Sequence, residues 1–554
     1  MMWKLSAVCG LLAALALGAC TKSAEPPPAP AKASAAAPAS PADDKAQAQS
    51  PAKPASAHDD GIAWYKGDVD AAFAAAKAEG KPVFLYWGAI WCPPCNQVKA
   101  TIFNRQDFIE RSRFFIPVYV DGDKPSAQRL GARFKVSGYP TMILFAPDGS
   151  EVIRLPGEVD ADQYMRVLTL AMNGARPAKE TLASALAAGN NAKSKGRLTP
   201  EDWRMLAYYS WIADDEALLP KKEVAPTLAR LAQACPADQP ETAARLRLQA
   251  LSAAATAKDA KPHYDPDGIA SIIRVLGDPR LARENFDLLT YYAGDIAGYM
   301  TEPKSEPRGQ LRSAWDAALV RLAADTSVAT ADRLMTVMAR IELARLDAGK
   351  KAPLPESMLT EVREQVKRAD RETVDVYARQ SVISTAADML AVAGLMNESD
   401  AMLEAELKRS HSPYYYMLGL ADNAKKRNDF ASALAWREKA YAAADGPATR
   451  LQWGVGYVNA LIEMAPADST RIESAAAKVI GELEPVPDTF YDRNRRALER
   501  LGKNLAQWNK GKQHTASVQK IRAQMAGVCA KLPGKDPARG VCDGVLQPAS
   551  TGAA

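Results

Sequence analysis

The chain has 554 residues, with 70 basic and 65 acidic side chains and a formal net charge of +5. A charge this small and this dispersed argues against a nucleic-acid partner. The basic run at 492–496 indicates a solvated helix face, the alternative being a surface for an acidic partner or a membrane. Because 47% of the residues are apolar and only 7% are aromatic, we expect several cores built mainly from helices.

The N-terminus has the pattern of an export signal. Lys4 precedes the apolar stretch Leu5–Leu17, which is too short to span a bilayer, and small residues then lead to Cys20. Residues 1–19 are therefore predicted to be a signal peptide. Leu17-Gly18-Ala19-Cys20 resembles the lipobox of bacterial lipoproteins, which implies cleavage before Cys20 and a lipid anchor on its sulfur. The alternative is ordinary signal cleavage beside an incidental cysteine.

The residues after Cys20 bear on location and reach. Thr21 stands where Asp retains enteric-type lipoproteins at the inner membrane, so the resemblance favours an outer-membrane anchor that faces the periplasm. Residues 20–60 are rich in Ala, Pro, Ser, Lys and Gln and contain almost no large apolar side chain. Such a segment does not offset its ordering entropy, so we predict a disordered tether.

Residues 61–176 mix helix and strand patterns. Continuous apolar runs predict strands buried on both faces, and Pro147-Asp148-Gly149-Ser150 predicts a hairpin turn. The predicted elements follow the order α-β-α-β-α-β-β-α. They are helix Asp70–Glu79, strand Val83–Trp87, a helix from Asn96, strand Phe114–Val120, helix Gln128–Phe134, strand Thr141–Phe145, strand Glu151–Leu155 and helix Asp162–Met172.

The segment Trp91-Cys92-Pro93-Pro94-Cys95 carries the chemistry. At a helix start the unpaired N–H groups and the helix dipole lower the pKa of the first cysteine. Cys92 is thus the predicted nucleophile and Cys95 the resolving cysteine of a redox-active pair, while the two prolines suit the first helical positions. Half of a zinc site and a structural disulfide are the alternatives. No second pair stands at ligand spacing and the chain has four histidines, so we predict no metal and no cofactor.

Residues 81–170 resemble the thioredoxin superfamily. The strand, Trp91, the cysteine pair and the later Gly138-Tyr139-Pro140-Thr141 stand in the order of that family. The resemblance implies that Pro140 is cis and lies against the disulfide, and that Trp91, Tyr139, Pro140 and Thr141 meet the substrate. A trans turn proline is the alternative for Pro140.

The resemblance extends to one branch of the superfamily. Phe84-Leu85-Tyr86-Trp87-Gly88-Ala89, with Phe103, Asp107 and Phe108 downstream, is most similar to the branch that contains the periplasmic C-terminal domain of the disulfide-reductant transporter.

Two positions depart from the thioredoxin pattern. Tyr86 stands where a buried carboxylate is usual, and Pro117 stands where a lysine is usual. In thioredoxins the carboxylate is thought to help move the proton of the resolving cysteine. We therefore expect a drier pocket behind Cys95 and a raised pKa of its thiol.

Residues 177–532 are predicted to form an α-helical array, followed by a tail at 533–554. Small residues on paired helices around the turn Asn428-Asp429-Phe430 resemble a tetratricopeptide repeat. Its aromatic clusters, which include Trp203, Tyr208, Tyr209, Trp211, Tyr414, Tyr415 and Tyr416, indicate helix packing, with a binding groove as the alternative. We hypothesise that the array delivers a client protein to Cys92.

The cysteines outside the motif have separate predicted roles. Cys235 is expected to be a small buried apolar residue. Cys529 and Cys542 lie close in sequence and are predicted to form a structural disulfide in an oxidising compartment.

Together these patterns predict a periplasmic, lipid-anchored thiol–disulfide oxidoreductase. Its expected partners are a protein disulfide substrate and a membrane electron donor or acceptor. Reduction or isomerisation of protein disulfides is the first interpretation. The alternatives are an oxidase that uses the same pair, and an interaction scaffold whose α/β domain is a docking module.

Overall fold

The computed structural model describes residues 61–547 apart from 137, 156, 158–159, 175, 189–197 and 212–215. The predicted signal peptide at 1–19, Cys20 and the predicted tether at 20–60 lie outside the described residues. The described residues belong to one compact unit. Among the helices of the described residues, none combines the length and the apolar character that a membrane span requires.

The N-terminal part is built on a four-stranded mixed sheet with the order β2-β1-β3-β4. Its strands are β1 (Val83–Gly88), β2 (Ile116–Asp121), β3 (Thr141–Phe145) and β4 (Glu151–Leu155). β1 runs parallel to β2 and antiparallel to β3, and β3 pairs antiparallel with β4. Every residue of β1 and β3 is buried, as expected for strands that are covered on both faces.

Helices cover both faces of this sheet. They are α1 (Val69–Glu79), α2 (Pro93–Val98), α3 (Gln106–Arg111), α4 (Pro125–Arg133) and α5 (Ala161–Met172), and a π-helical turn at Lys99–Phe103 continues α2. The sequence thus predicted this α/β fold correctly. Some predicted bounds were wrong. Phe114 belongs to a short 3₁₀ turn and is 67% exposed, so β2 begins only at Ile116. The helix predicted at Gln128–Phe134 is α4, which begins at Pro125 and ends at Arg133.

The remainder of the described chain is helical, as predicted. Its helices are α6 (Ala178–Ala188), α7 (Pro200–Tyr208), α8 (Lys221–Ala234), α9 (Pro240–Ala255), α10 (Pro266–Gly277), α11 (Pro279–Glu284), α12 (Phe286–Tyr291), α13 (Ala293–Met300), α14 (Glu306–Ala324), α15 (Thr330–Ala344), α16 (Glu356–Glu372), α17 (Val376–Ala393), α18 (Met396–Glu406), α19 (Pro413–Lys426), α20 (Phe430–Ala443), α21 (Pro447–Met464), α22 (Ser469–Gly481), α23 (Asp492–Trp508), α24 (Thr515–Cys529) and α25 (Pro537–Gly544).

Two details bear on the predictions for this helical region. The predicted helix pair is present as α19 and α20, and between them Asn428 adopts φ 63° and Asp429 caps α20. The tetratricopeptide assignment itself stays a prediction. The segment predicted as a tail contains α25, which is tied to the end of α24 through Cys529 and Cys542.

The helical region joins the sheet through a continuous apolar core next to β4. This core includes Leu155, Tyr164, Leu182, Trp203, Leu228 and Leu246. A buried polar network reinforces it: Arg154 donates to the carbonyls of Phe134 (2.8 Å) and Lys135 (2.7 Å), and Tyr209 donates to Glu151 (2.9 Å). The first helices of the helical region are therefore built into the α/β domain.

Candidate redox site

The site is centred on a disulfide between Cys92 and Cys95 at the start of α2. Cys92 is the N-cap residue, and Pro93 and Pro94 occupy the first helical positions, where no N–H is needed. The backbone N–H of Cys95 lies 3.2 Å from Cys92 Sγ. After reduction, that N–H and the helix dipole would stabilise a thiolate on Cys92, which is the nucleophilic form of the residue.

Asn96 holds the backbone that carries the cysteines. This fully buried side chain donates through Nδ2 to the carbonyl of Ile90 (2.8 Å) and to that of Cys92 (2.9 Å). The role of Asn96 was not predicted from the sequence. The sequence feature that could have indicated this role is a polar residue directly after the second cysteine, at a position where the helix is buried.

The predicted substrate residues lie around the disulfide. The Tyr139–Pro140 peptide bond is cis, and Trp91 and Tyr139 pack against an apolar cluster that contains both cysteines. Thr141 opens β3, is buried, and donates to the carbonyl of Gly138 (2.7 Å). The structure thus brings Trp91 and Tyr139 to the cysteine pair, while Pro140 and Thr141 lead from this cluster into the sheet.

The two positions that depart from thioredoxin are apolar in their surroundings. The ring of Tyr86 is fully buried and lies 4.8 Å from Phe103 and 5.5 Å from Tyr119. Burial also raises the pKa of Tyr119 well above its ordinary value. Pro117 lies beside Phe84 in the pairing of β2 with β1. The raised pKa of Cys95 that we inferred from these residues stays a prediction.

A buried carboxylate stands beside the motif in another place. Asp123 follows β2, and its Oδ1 accepts from the hydroxyl of Thr449 and lies 3.4 Å from Nε1 of Trp91. Burial raises the pKa of Asp123 to about 6. Sequence reasoning missed it, although it stands at the carboxyl end of the strand next to β1, where loops of one sheet edge meet.

Side chains of the helical region contact Trp91. Thr449, near the start of α21, accepts a hydrogen bond from Trp91 Nε1 at 2.8 Å. The ring of Tyr415 stacks on Trp91 with centroids 6.0 Å apart, and the ring of Trp453 meets it edge-on at 5.6 Å. The guanidinium of Arg493 lies 4.6 Å from the centre of the Tyr139 ring, so it covers a second predicted substrate residue.

The same region holds the backbone before Cys92. Gln380 donates to the carbonyl of Trp91 at 3.3 Å, and Nε2 of His411 lies 3.1 Å from the carbonyl of Ile90. Because a carbonyl only accepts, His411 must carry its proton on Nε2, and burial lowers the pKa of this imidazole. With these contacts in place Cys92 is 3% exposed and Cys95 is fully buried.

Three other cysteines for which the sequence predicts a role lie among the described residues. Cys529 and Cys542 are joined in a disulfide between α24 and α25. Cys235 is a free, buried cysteine, and burial raises the pKa of its thiol to about 11. Within the described ranges, no group of three or more His, Cys, Asp or Glu side chains is arranged to hold a metal ion.

Comparison with known proteins agrees with this site. A family model described as "Thioredoxin-like domain" matches residues 69–171. The thiol:disulfide interchange protein DsbD of Pseudomonas fluorescens is 32% identical over 103 residues, which are 18% of this chain and 18% of that protein. DsbD 2 of Pseudomonas aeruginosa is 33% identical over 102 residues, which are 18% of this chain and 17% of that protein.

Two solved structures also match part of the chain. A DsbH oxidoreductase (21% identity, TM-score 0.19) covers 20% of this chain and 85% of its own. A thioredoxin from Thermus thermophilus (22% identity, TM-score 0.19) covers 25% of this chain and 99% of its own. This chain spans less than a fifth of the length of the interchange proteins. Residues 69–171 are therefore a thioredoxin-like domain related to DsbD, with a redox-type cysteine pair.

Proposed function

We propose that the protein is a periplasmic thiol–disulfide oxidoreductase that reduces or isomerises protein disulfides through Cys92 and Cys95. The observation that carries this proposal is the Cys92–Cys95 disulfide at a helix start, with Trp91 and Tyr139 packed against it in a thioredoxin-like domain. The similarity to the interchange proteins supports the same class of reaction.

The reaction starts from the reduced pair. The thiolate of Cys92 attacks one sulfur of the substrate disulfide, the substrate S–S bond breaks, and the leaving sulfur takes up a proton. The thiolate of Cys95 then attacks Cys92 Sγ, which releases the second substrate thiol and leaves the Cys92–Cys95 disulfide. Two electrons and two protons pass to the substrate. For isomerisation a different thiolate of the substrate attacks the substrate sulfur of the mixed disulfide, a new substrate disulfide forms, and Cys92 leaves as a thiolate, so the pair ends reduced with no net electron transfer.

The direction of electron flow separates this proposal from its alternative. An oxidase would use the same pair in reverse, with a membrane acceptor in place of a membrane donor. Equilibration of the full chain with glutathione buffers, followed by alkylation, measures the reduction potential. We expect a value near thioredoxin's roughly −270 mV, and a value near roughly −120 mV would favour the oxidase.

The catalytic proposal is tested in a single turnover. The full chain is reduced, freed of reductant, and mixed with insulin or with a small aryl disulfide that releases a coloured thiolate. We expect loss of the reaction in Cys92→Ser and a trapped mixed disulfide in Cys95→Ser. Cys235→Ser, which changes a buried thiol far from the motif in sequence, is the matched control. If Cys92→Ser kept the wild-type rate, the scaffold interpretation would replace the oxidoreductase.

The location is a further part of the proposal. We expect Cys20 to carry lipid and to hold the protein at the periplasmic face of the outer membrane in preference to the inner membrane. Cells that express the full chain are grown with radiolabelled palmitate, and the membranes are separated by density. Cys20→Ser should lose the label, while Cys9→Ser, within the predicted signal, should keep it. An unlabelled wild-type protein would contradict the anchor.

A further inference from the structure

The helical region closes the approach to the redox disulfide. The Cys92 thiolate attacks only a substrate disulfide whose sulfur comes into contact with Cys92 Sγ. Access to Cys92 therefore decides the rate of exchange as much as the reactivity of the thiol does. Cys92 is 3% exposed, and the flanking Trp91 and Tyr139 are contacted by Thr449 and Arg493. A folded protein brings a wide surface with its disulfide, and this surface would overlap the helical region.

The closure comes from three helices and one connecting segment. α17 contributes Gln380, the segment before α19 contributes His411, α21 contributes Thr449 and Trp453, and α23 contributes Arg493. Their contacts converge from several sides on the backbone and side chains around Cys92. We refer to these five residues as the cover.

The loop before α21 is shaped for close approach to the site. Gly446 has φ +83°, and a Cβ on it would lie 2.7 Å from Cβ of Asp123. The N–H of Ala448 donates to the carbonyl of Asp123 (3.2 Å), and the hydroxyl of Thr449 donates to its carboxylate. Glycine is therefore required at 446 both for its backbone conformation and for the closeness of the two segments.

Three of the five cover residues are attached by hydrogen bonds that can be exchanged for water, while Trp453 and Arg493 pack on the rings of Trp91 and Tyr139. Gln380, His411 and Thr449 make hydrogen bonds, and a hydrogen bond between protein groups contributes only about 1 kcal/mol net of the one to water that it replaces. The apolar cluster around the cysteines consists of residues of the α/β domain and is distinct from the large core beside β4. The contacts around the redox disulfide are therefore separate from the attachment beside β4.

We propose that the cover makes the site selective by size: it closes Cys92 to protein-sized disulfides, and a protein substrate must displace it. Small thiol compounds reach Cys92 through local openings that are too narrow for a polypeptide. This proposal rests on the redox role of Cys92 and Cys95 and sets the condition under which a protein substrate is used.

Two variants of the full chain open the cover by different means. Trp453→Ala removes a half-buried ring that packs on Trp91. Gly446→Ala places a methyl group against Asp123 and strains a left-handed backbone position. Trp508→Ala is the matched control, because Trp508 is also half-buried but stacks on His514 at the far end of α23. Circular dichroism and thermal unfolding establish that each variant is folded.

The first measurement is the alkylation of reduced Cys92. Each protein reacts with N-ethylmaleimide and with a maleimide that carries a long polyethylene glycol chain, and the ratio of the two rates is determined. We expect the ratio to move at least about tenfold toward the large reagent in both opening variants and less than about twofold in Trp508→Ala. Equal ratios in the wild type and both opening variants would overturn the cover.

The second measurement separates this inference from the proposed function. In single turnovers both opening variants should reduce insulin at least about tenfold faster than the wild type, with a smaller change for the aryl disulfide. If the wild type already reduced insulin as fast as the variants, the proposed size selectivity would be wrong, while the proposed oxidoreductase activity would be supported. If the large maleimide reached Cys92 in the opening variants but neither the wild type nor the variants reduced insulin or the aryl disulfide, the proposed function would be wrong, while the proposed cover would be supported.

Discussion

Two of the surfaces at which the helical region meets the α/β domain differ in character. Beside β4 the contact is an extended apolar core, and Tyr209 donates across it to Glu151, which pairs with the buried guanidinium of Arg154. Over the redox disulfide the contact consists of hydrogen bonds and aromatic rings around Trp91. Burial of apolar area resists separation strongly, whereas polar contacts exchange with water at little net cost. The difference teaches that one surface fixes the helical region and the other can release it.

The largest expected effect is at the fixed surface. Arg154→Ala removes a guanidinium that is 1% exposed and leaves the carbonyls of Phe134 and Lys135 and the Glu151 carboxylate without it. Loss of one partner from a buried network costs about 3–5 kcal/mol, so we expect a reduction of that size in the free energy of unfolding. Denaturant unfolding of the full chain measures it.

The control for Arg154 is an arginine with an exposed partner. Arg495 pairs with Glu499 one turn away on the surface of α23, and such pairs contribute little. Arg495→Ala should therefore leave the unfolding midpoint almost unchanged. An equal loss in both variants would show that the buried Arg154 network contributes no more to stability than an ordinary surface pair.

The contrast between the surfaces also separates what the sequence could predict. The continuous apolar runs of β1 and β3 were sufficient to predict the sheet, because strands buried on both faces carry that local pattern. Trp91 and the cysteines were predictable from one short motif. Phe114 misled the prediction because an apolar residue beside an apolar run looks like part of the strand, although here its side chain is exposed.

The cover carried no comparable signal. Gln380 and His411 contact backbone carbonyls about 300 positions earlier in the chain, and a carbonyl acceptor leaves no trace in residue type. In the sequence, the aromatic residues around position 415 indicate helix packing, with a binding groove as the alternative. In the structure Tyr415 stacks on Trp91, so the groove alternative is occupied by the chain's own redox loop.

The second expected effect is a pH dependence confined to the redox face. Burial raises the pKa of Asp123 to about 6 and lowers the pKa of His411. A group whose pKa rises on closure binds a proton in the closed form, so Asp123 favours closure as the pH falls through about 6, by at most about 3 kcal/mol. His411 has the opposite sign: it is held neutral when closed, and acid favours the open form in which it can bind a proton.

Single variants reveal the two opposing groups. As the pH falls from about 7 to about 5, the ratio of the alkylation rate with the large maleimide to that with the small one should rise in Asp123→Asn, where His411 acts alone. It should fall in His411→Gln, where Asp123 acts alone. The ratio cancels the titration of Cys92 itself. The same slope in both variants would contradict this assignment.

The smallest effect tests a single hydrogen bond at the releasable surface. Trp91→Phe keeps an aromatic ring beside Tyr415 and removes the Nε1–H that donates to Thr449 at 2.8 Å and lies 3.4 Å from Asp123. A hydrogen bond of this kind contributes about 1 kcal/mol, so the alkylation ratio should move about fivefold toward the large reagent. Trp453→Phe, which keeps a ring over Trp91, is the matched control and should move it much less. Because Trp91 lies at the redox face alone, its loss should leave global unfolding nearly unchanged. A large drop in unfolding free energy would mean that the two surfaces open together, and the division between a fixed and a releasable contact would then be wrong.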